Sequence, residues 1–296
     1  MRDQPVRFGI VVGVDGSTSS TAAVQWAARE AAMRNVGLAL VHVVAPVAAS
    51  SSSIVWTGPN PSVALARQAE HAHQLIDDAV KAANDTAGAL QIHRDVIFSS
   101  PVPTLVDMSE EAQMLVVGRH GRRLLPHVPL GSTSTAMMHQ AHCPVAVIPE
   151  DFDGATEVTT APVLVGIDGS PASELATAIA FGEASWRGVD LVALHASCDS
   201  DPFGIHELEW AVGEPRAHEA LAERLAGWQE RYPDVTVRRI VVFDRPARHL
   251  LERVEAAQLV VVGSRGRGGF AGLLLGSVST AVAQAARIPV IVARQG

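Results

Sequence analysis

Ile10-Val-Val-Gly-Val-Asp-Gly-Ser17 returns further along the chain as Val163-Leu-Val-Gly-Ile-Asp-Gly-Ser170. Such a run reads as a buried strand that ends in a tight turn, and its return 153 positions later marks a duplication. Leu38-Ala-Leu-Val-His-Val43 recurs as Leu191-Val-Ala-Leu-His-Ala196 at the same offset of 153. Ala112-Gln-Met-Leu-Val-Val-Gly118 matches Ala257-Gln-Leu-Val-Val-Val-Gly263, and Cys143-Pro-Val-Ala-Val-Ile148 matches Ile288-Pro-Val-Ile-Val-Ala293, both at an offset of 145. The change of offset falls between His42 and Gly118, where loops absorb length differences that packed strands do not.

The segments between these runs read as helices. Ser17 or Ser19 is placed to cap a helix reaching about Arg34, and Ser170-Pro171 puts proline where a first helical turn accepts it. Ala64 to Ala87 and Arg216 to Arg231 are Ala-rich and helical in period. Strands alternating with helices predict an α/β fold with a parallel sheet in each half and helices on both faces. Burial on both faces explains why Leu259-Val-Val-Val262 is apolar without alternation. The expected domains are residues 1–150 and 162–296, joined by a polar, Thr-rich linker at 151–161. Pro46 to Pro61 and Asp199 to Pro215, rich in Ser, Pro and Gly, are expected to be loops or lids.

Composition narrows the function classes. The net charge of −8 divides evenly, with 10 basic against 14 acidic residues up to position 153 and 13 against 17 beyond it. No basic block is present to neutralise a phosphate backbone, so nucleic acid is not an expected partner. No apolar run approaches a membrane span, and the start lacks a signal-peptide layout. Cys143 and Cys198, too few for a disulfide framework, predict buried thiols in a reducing cytoplasm.

The chemistry concentrates in one loop of each half. Strand Leu259 to Val262 leads into Gly263-Ser-Arg-Gly266, nine further residues and Gly276-Ser277; the first half has Gly118-Arg-His-Gly121, nine residues and Gly131-Ser132. Glycines let backbone approach a ligand closely, successive N–H groups form an anion nest, and a helix start aims its dipole at the same anion. A Walker A loop is excluded, because the only lysine is Lys81, far from either loop. Gly266-Arg-Gly268-Gly-Phe-Ala271 fits a loose dinucleotide fingerprint, but it follows the wrong strand and lacks the ribose-binding acid downstream. Neither a G-x-S-x-G elbow nor an H-E-x-x-H zinc motif is present.

A strand followed by G-x2-G-x9-G-S/T, paired with an Asp at the end of the first strand, resembles the universal stress protein family in its tandem form. The likeness covers nearly the whole chain. It implies two tandem flavodoxin-like (adenine nucleotide alpha hydrolase-like) domains, each a five-stranded parallel sheet. It also implies ATP, with Mg²⁺ a possible companion, across the carboxyl ends of the strands. By position, Gly13, Asp15, Gly166 and Asp168 would lie beside the adenosine, and Val43 and Ala196 would offer backbone groups to the base. Gly118, Arg119, His120, Gly121, Arg122, Arg123, Gly131, Ser132 and Thr133 would surround the phosphates of the first site. Gly263, Ser264, Arg265, Gly266, Arg267, Gly268, Gly269, Gly276, Ser277 and Val278 would do so in the second. The resemblance also implies that the halves pair through their last strands, Val145 to Ile148 and Val290 to Ala293. A homodimer of whole chains would be a further step, and no downstream protein partner can be read from these residues.

The weighing of functions follows from what each would require. His42 and His195 end apolar strands with no nucleophile beside them, which predicts satisfied structural histidines. His139, His142 and Cys143, read as one helical stretch, are a thin metal set. The sequence places no general base and no Walker-type metal set, so an ATP-binding signalling protein is favoured over a slow ATPase or a phosphoryl- or nucleotidyl-transfer enzyme. A degenerate pair that binds no nucleotide is the remaining alternative, and two intact glycine frames oppose it. The loops also differ: Leu124 and Pro126 stand where the second half has Gly269 and Ala271, and proline removes an N–H donor. The second site is therefore expected to bind ATP more tightly. Calorimetry on Gly121→Val and Gly266→Val checks this, and equal residual affinities would contradict it.

Overall fold

The computed structural model describes residues 7–45, 61–121, 130–152, 160–197, 206–266 and 275–294. The first half runs β1 (Phe8–Gly13), α1 (Thr18–Arg34), β2 (Leu38–Val44), α2 (Pro61–Ala87), β3 (Ile92–Phe98), α3 (Pro101–Ser109), β4 (Ala112–Gly118), α4 (Ser132–Gln140) and β5 (Val145–Ile148). The second half repeats the plan as β6 (Val163–Ile167), α5 (Pro171–Arg187), β7 (Leu191–Ser197), α6 (His206–Arg231), β8 (Val237–Phe243), α7 (Pro246–Val254), β9 (Leu259–Gly263), α8 (Ser277–Ala285) and β10 (Val290–Ala293).

All ten strands form one sheet in the order β3-β2-β1-β4-β5-β10-β9-β6-β7-β8. Every pairing within a half is parallel. The central pair is antiparallel, with Val290 opposite Val147, Ile291 opposite Ala146 and Val292 opposite Val145. The apolar edges expected to pair inside the chain do so. Successive strand residues face opposite sides, so Ile10 and Val12 enter one core while Val11 enters the other. Both cores run without a break through residues of the two halves.

Local signals explain most helix ends. The Ser17 hydroxyl accepts the Ser20 N–H at 3.1 Å, and Ser170 accepts that of Ser173 at 3.2 Å. Asn35 and Gly188 close α1 and α5 in the left-handed region. Two expectations need correction. The helix expected from Arg216 begins at His206, so part of the loop expected at Asp199 to Pro215 is helical with Pro215 inside it. Helix formers in His206-Glu-Leu-Glu-Trp-Ala211 carry the turns that precede the proline. The helix expected from Ala64 starts at Pro61, a residue suited to a first turn. The rest of the Pro46 loop, most of the linker and Cys198 lie outside the described residues.

The two halves also meet through buried charge. Glu30 and Arg34 of α1 face Glu183 and Arg187 of α5, the same i,i+4 pair in each copy. Arg34 donates to both carboxylates, and so does Arg187. Glu30 is 1% exposed and Glu183 fully buried. Burial and the adjacent Glu30 carboxylate push Glu183 up to about 7, against the pull of Arg187 and Arg34. Removing one member strands the others in a dry seam. Glu183→Ala is expected to destabilise the chain by about 3–5 kcal/mol in urea unfolding. Because Glu183 is raised from 4.5 to about 7, its contribution is full below the lower value and lost as pH rises through the upper one. Glu183→Gln should lack that decline; an unchanged pH profile would contradict the assignment.

Candidate functional site

In a sheet ordered 3-2-1-4-5, the chain leaves β1 toward β2 on one side and later returns to β4 on the other. The loops at the carboxyl ends of β1 and β4 therefore diverge, and a crevice opens between them. A cleft of about 270 Å³ lies there, lined by Gly13 and Asp15 after β1, Gly118, His120 and Gly121 after β4, and Gly131, Ser132 and Thr133 at the start of α4. Val43 of β2 also lines it, so nine residues singled out from the sequence meet in one place.

Close packing accounts for the glycines. A Cβ on Gly118 would lie 2.7 Å from the Ser19 carbonyl carbon and 2.9 Å from the Ser20 nitrogen, so β4 reaches the first turn of α1 only because Gly118 has none. Gly263 meets Ala172 and Ser173 of α5 in the same way, at 2.9 and 3.0 Å. The second glycine of each loop rests on the aspartate: a Cβ on Gly121 would be 2.8 Å from Asp15 Oδ2, and one on Gly266 would be 2.5 Å from Asp168 Oδ2. The other carboxylate oxygen accepts the N–H of Ser17 or of Ser170, each at 2.9 Å. Aspartate and glycine loop form one built unit in both halves.

Hydrogen bonds hang each loop on the central strands. The Arg119 N–H donates to the Ile148 carbonyl at 2.7 Å, and the Ser264 N–H to that of Ala293 at 2.9 Å. Gly131 N–H then reaches the Arg119 carbonyl, and Gly276 N–H the Ser264 carbonyl. The Ser19 hydroxyl donates to the His120 carbonyl at 2.6 Å, while in the second half Ser170 donates to that of Arg265 at 3.1 Å. Helices α4 and α8 start at Gly131 and Gly276, where no side chain caps the first turn. Helices α1 and α5 carry serine caps instead. The uncapped starts face the loops, which is the arrangement that receives an anion on backbone N–H groups.

One expected residue, Arg119, points elsewhere. The Arg119 guanidinium does not line the cleft; it crosses to the second half and donates to the Ala286 carbonyl. Burial lowers its pKa, and the loop's geometry directs it into the seam between halves rather than toward a phosphate. The Ser264 side chain, at the corresponding position, is buried. Val278 and Ala196 pack against the core. Gly166 lies within β6, where a Cβ would meet Leu250. Arg265 and Gly266 are exposed, and Ser277 opens α8. Arg122, Arg123, Arg267, Gly268 and Gly269 lie outside the described residues, as do Leu124, Pro126 and Ala271.

The cleft also contains residues that sequence reasoning missed. Pro101 and Leu105 of α3 form an apolar wall, and Ser20 lines it while accepting the Asp15 N–H. Ser134 binds the Gly118 carbonyl at 2.6 Å, and its counterpart Ser279 binds that of Ser264. The signal for this pair was available in Gly131-Ser-Thr-Ser134 and Gly276-Ser-Val-Ser279. His42 and His195 place Nδ1 against the Val14 and Ile167 carbonyls, at 2.6 and 2.7 Å, as structural histidines do. His142 and Cys143 fall beyond α4, which ends at Gln140, so they share no helix with His139. Burial pushes the Cys143 thiol up to about 12, far from a reactive thiolate. No helix among the described residues is long and apolar enough to cross a membrane.

The comparisons with known proteins agree with this architecture. The model of the Universal stress protein family matches residues 9–149 and 160–294. Universal stress protein Rv2005c of Mycobacterium tuberculosis is 52% identical over 293 residues, 98% of each chain. Universal stress protein Rv2623 of the same organism is 51% identical over 291 residues, 97% of each chain. The crystal structure of a universal stress protein from Archaeoglobus fulgidus superposes with a TM-score of 0.71 at 20% identity, covering 97% of this chain and 98% of that one.

Proposed function

From the premise that this chain belongs to the universal stress protein family, we propose that it binds adenine nucleotide, ATP foremost, in the crossover cleft of each half. Occupancy would bias its conformation or its choice of partner in a cytoplasmic stress response, because a ligand stabilises the state that binds it best. One observation carries the reading. Asp15, the Gly118–Gly121 loop and the uncapped start of α4 converge on one cleft, and the Asp168, Gly263–Gly266 and α8 positions repeat their bonding.

The chemistry of the donor set fits a phosphate chain. Backbone N–H groups supply the anion contacts, which suits a chain with net charge −8 and a cleft that Arg119 leaves. The apolar wall of Val41, Val43 and Leu105 suits a base and a sugar. Among the described residues Asp15 is the one carboxylate lining the first cleft, so Mg²⁺ would be held mainly by the ATP phosphates and water. Assembly of whole chains would need surfaces other than β5 and β10, whose edges are already joined.

Mass spectrometry of the purified protein should find co-eluting ATP, and calorimetry should find two nucleotides per chain, falling to one in Gly266→Val. No nucleotide after purification and no binding at about 1 mM ATP, a threshold for weak affinity, would overturn the reading. Sustained ADP release abolished by Gly266→Val would recast the protein as an ATPase.

A further inference from the structure

Two arginines cross the seam between the halves in opposite directions. Arg119 stands inside the first glycine loop. Its N–H is fixed to Ile148 of β5, and its carbonyl accepts Gly131 N–H at 2.8 Å and the Ser134 hydroxyl at 3.2 Å. Its side chain turns away from that cleft and donates to the carbonyl of Ala286, the C-cap of α8. The opposite end of α8 is Gly276-Ser277, the phosphate end of the second site.

Arg294 makes the return connection. It follows Ala293, whose carbonyl holds the second glycine loop through Ser264 N–H at 2.9 Å. Its buried guanidinium donates to the carbonyls of Ala141 and Met138, the latter at 3.1 Å, in the last turn and cap of α4. The opposite end of α4 is Gly131-Ser132, the phosphate end of the first site. The two arginines are not repeats of one another: Ser264 and Pro149 occupy the corresponding positions. The crossing is reciprocal although the sequence is not. Arg119 Nε is buried without a hydrogen-bond partner, a cost accepted where the side chain is held in a set pose.

We infer that the two clefts are energetically coupled: the first loop steadies α8 through Arg119, and the end of β10, on which the second loop hangs, steadies α4 through Arg294. A cation at a helix C-terminus stabilises the helix through its dipole. Each of these helices is 9 residues long, about 13 Å at 1.5 Å per residue, so steadying one end steadies the other. A nucleotide that orders the first loop orders Arg119 and thereby α8, and the second nucleotide then meets a helix start with less freedom to lose. Coupling of binding energies is mutual, so occupancy of the second site favours the first by the same factor, and Arg294 adds a separate connection between the clefts.

The inference rests on the nucleotide-binding reading above, and the test separates the two. Hydrogen exchange is measured on the full chain carrying Gly266→Val, which leaves the first site to take ATP, with and without Arg119→Ala. ATP should slow exchange both at the start of α4 and in the remote first turn of α8, the latter by about fivefold or more, the low end of typical site coupling. Arg119→Ala should abolish the α8 effect and keep the α4 effect. Should that variant fold poorly, Arg119→Lys keeps the charge with a different donor geometry and should reduce the effect in part. In ligand-free protein, Arg294→Ala should raise exchange at the start of α4 and leave α8 as it was. Protection at α4 alone would overturn the coupling and leave the binding reading intact. No protection at either helix would overturn the reading and the coupling with it.

Discussion

Three antiparallel residue pairs between β5 and β10 join two five-stranded sheets into one. Most of what distinguishes this chain from two separate domains depends on that seam. It brings α1 against α5, where the buried Glu30 and Glu183 carboxylates are each shared between an arginine of their own copy and one of the other. It also fixes Ile148 and Ala293, whose carbonyls hold the glycine loops, at opposite ends of the antiparallel pair. A buried ion cluster is weak evidence for stability, because desolvation offsets much of its attraction. Its closed arrangement, with each guanidinium shared between both carboxylates, instead specifies one register for the pairing of the halves.

The same seam gives the clefts their character. Each glycine loop is held by backbone bonds at its start and end, and its glycines allow contacts that a single Cβ would prevent. In the proposed binding mode an anion in the first site would meet fixed backbone N–H groups, since the Arg119 guanidinium turns to the opposite half. Fixed N–H groups and an uncapped helix start supply the potential, in a chain whose net charge is negative. A site of this kind would discriminate by shape and by the direction of its dipoles.

Much of this was legible in the residues. The alternation of strands and helices, the serine caps and the glycine frames are local patterns that recur in both halves, and the fold preserves them. The edge pairing came through the family resemblance, with the apolar runs Val145 to Ile148 and Val290 to Ala293 as the edges it concerned. What escaped depends on contacts between distant segments. Glu30 with Arg34, and Glu183 with Arg187, have the spacing of surface helix pairs, and nothing in either half says that the other half covers them. Arg119 sits in a loop where phosphate contact is the natural expectation, and only the seam explains its turn toward Ala286. Pro101 and Leu105 carry no motif and reach the cleft through topology alone. The start of α6 was hidden by Pro215, whose usual reading as a helix boundary does not hold here.

In the proposed binding mode, backbone N–H groups of the two loops and of the α4 and α8 starts hold the phosphates. Amide-resolved NMR of the full chain during an ATP titration tests it most directly. The largest shifts are expected at Gly121, Ser132, Thr133 and Ser134 and at Gly266, Ser277, Val278 and Ser279, with the outer strands β3 and β8 unmoved. Saturable shifts that leave these amides untouched and gather elsewhere would contradict it.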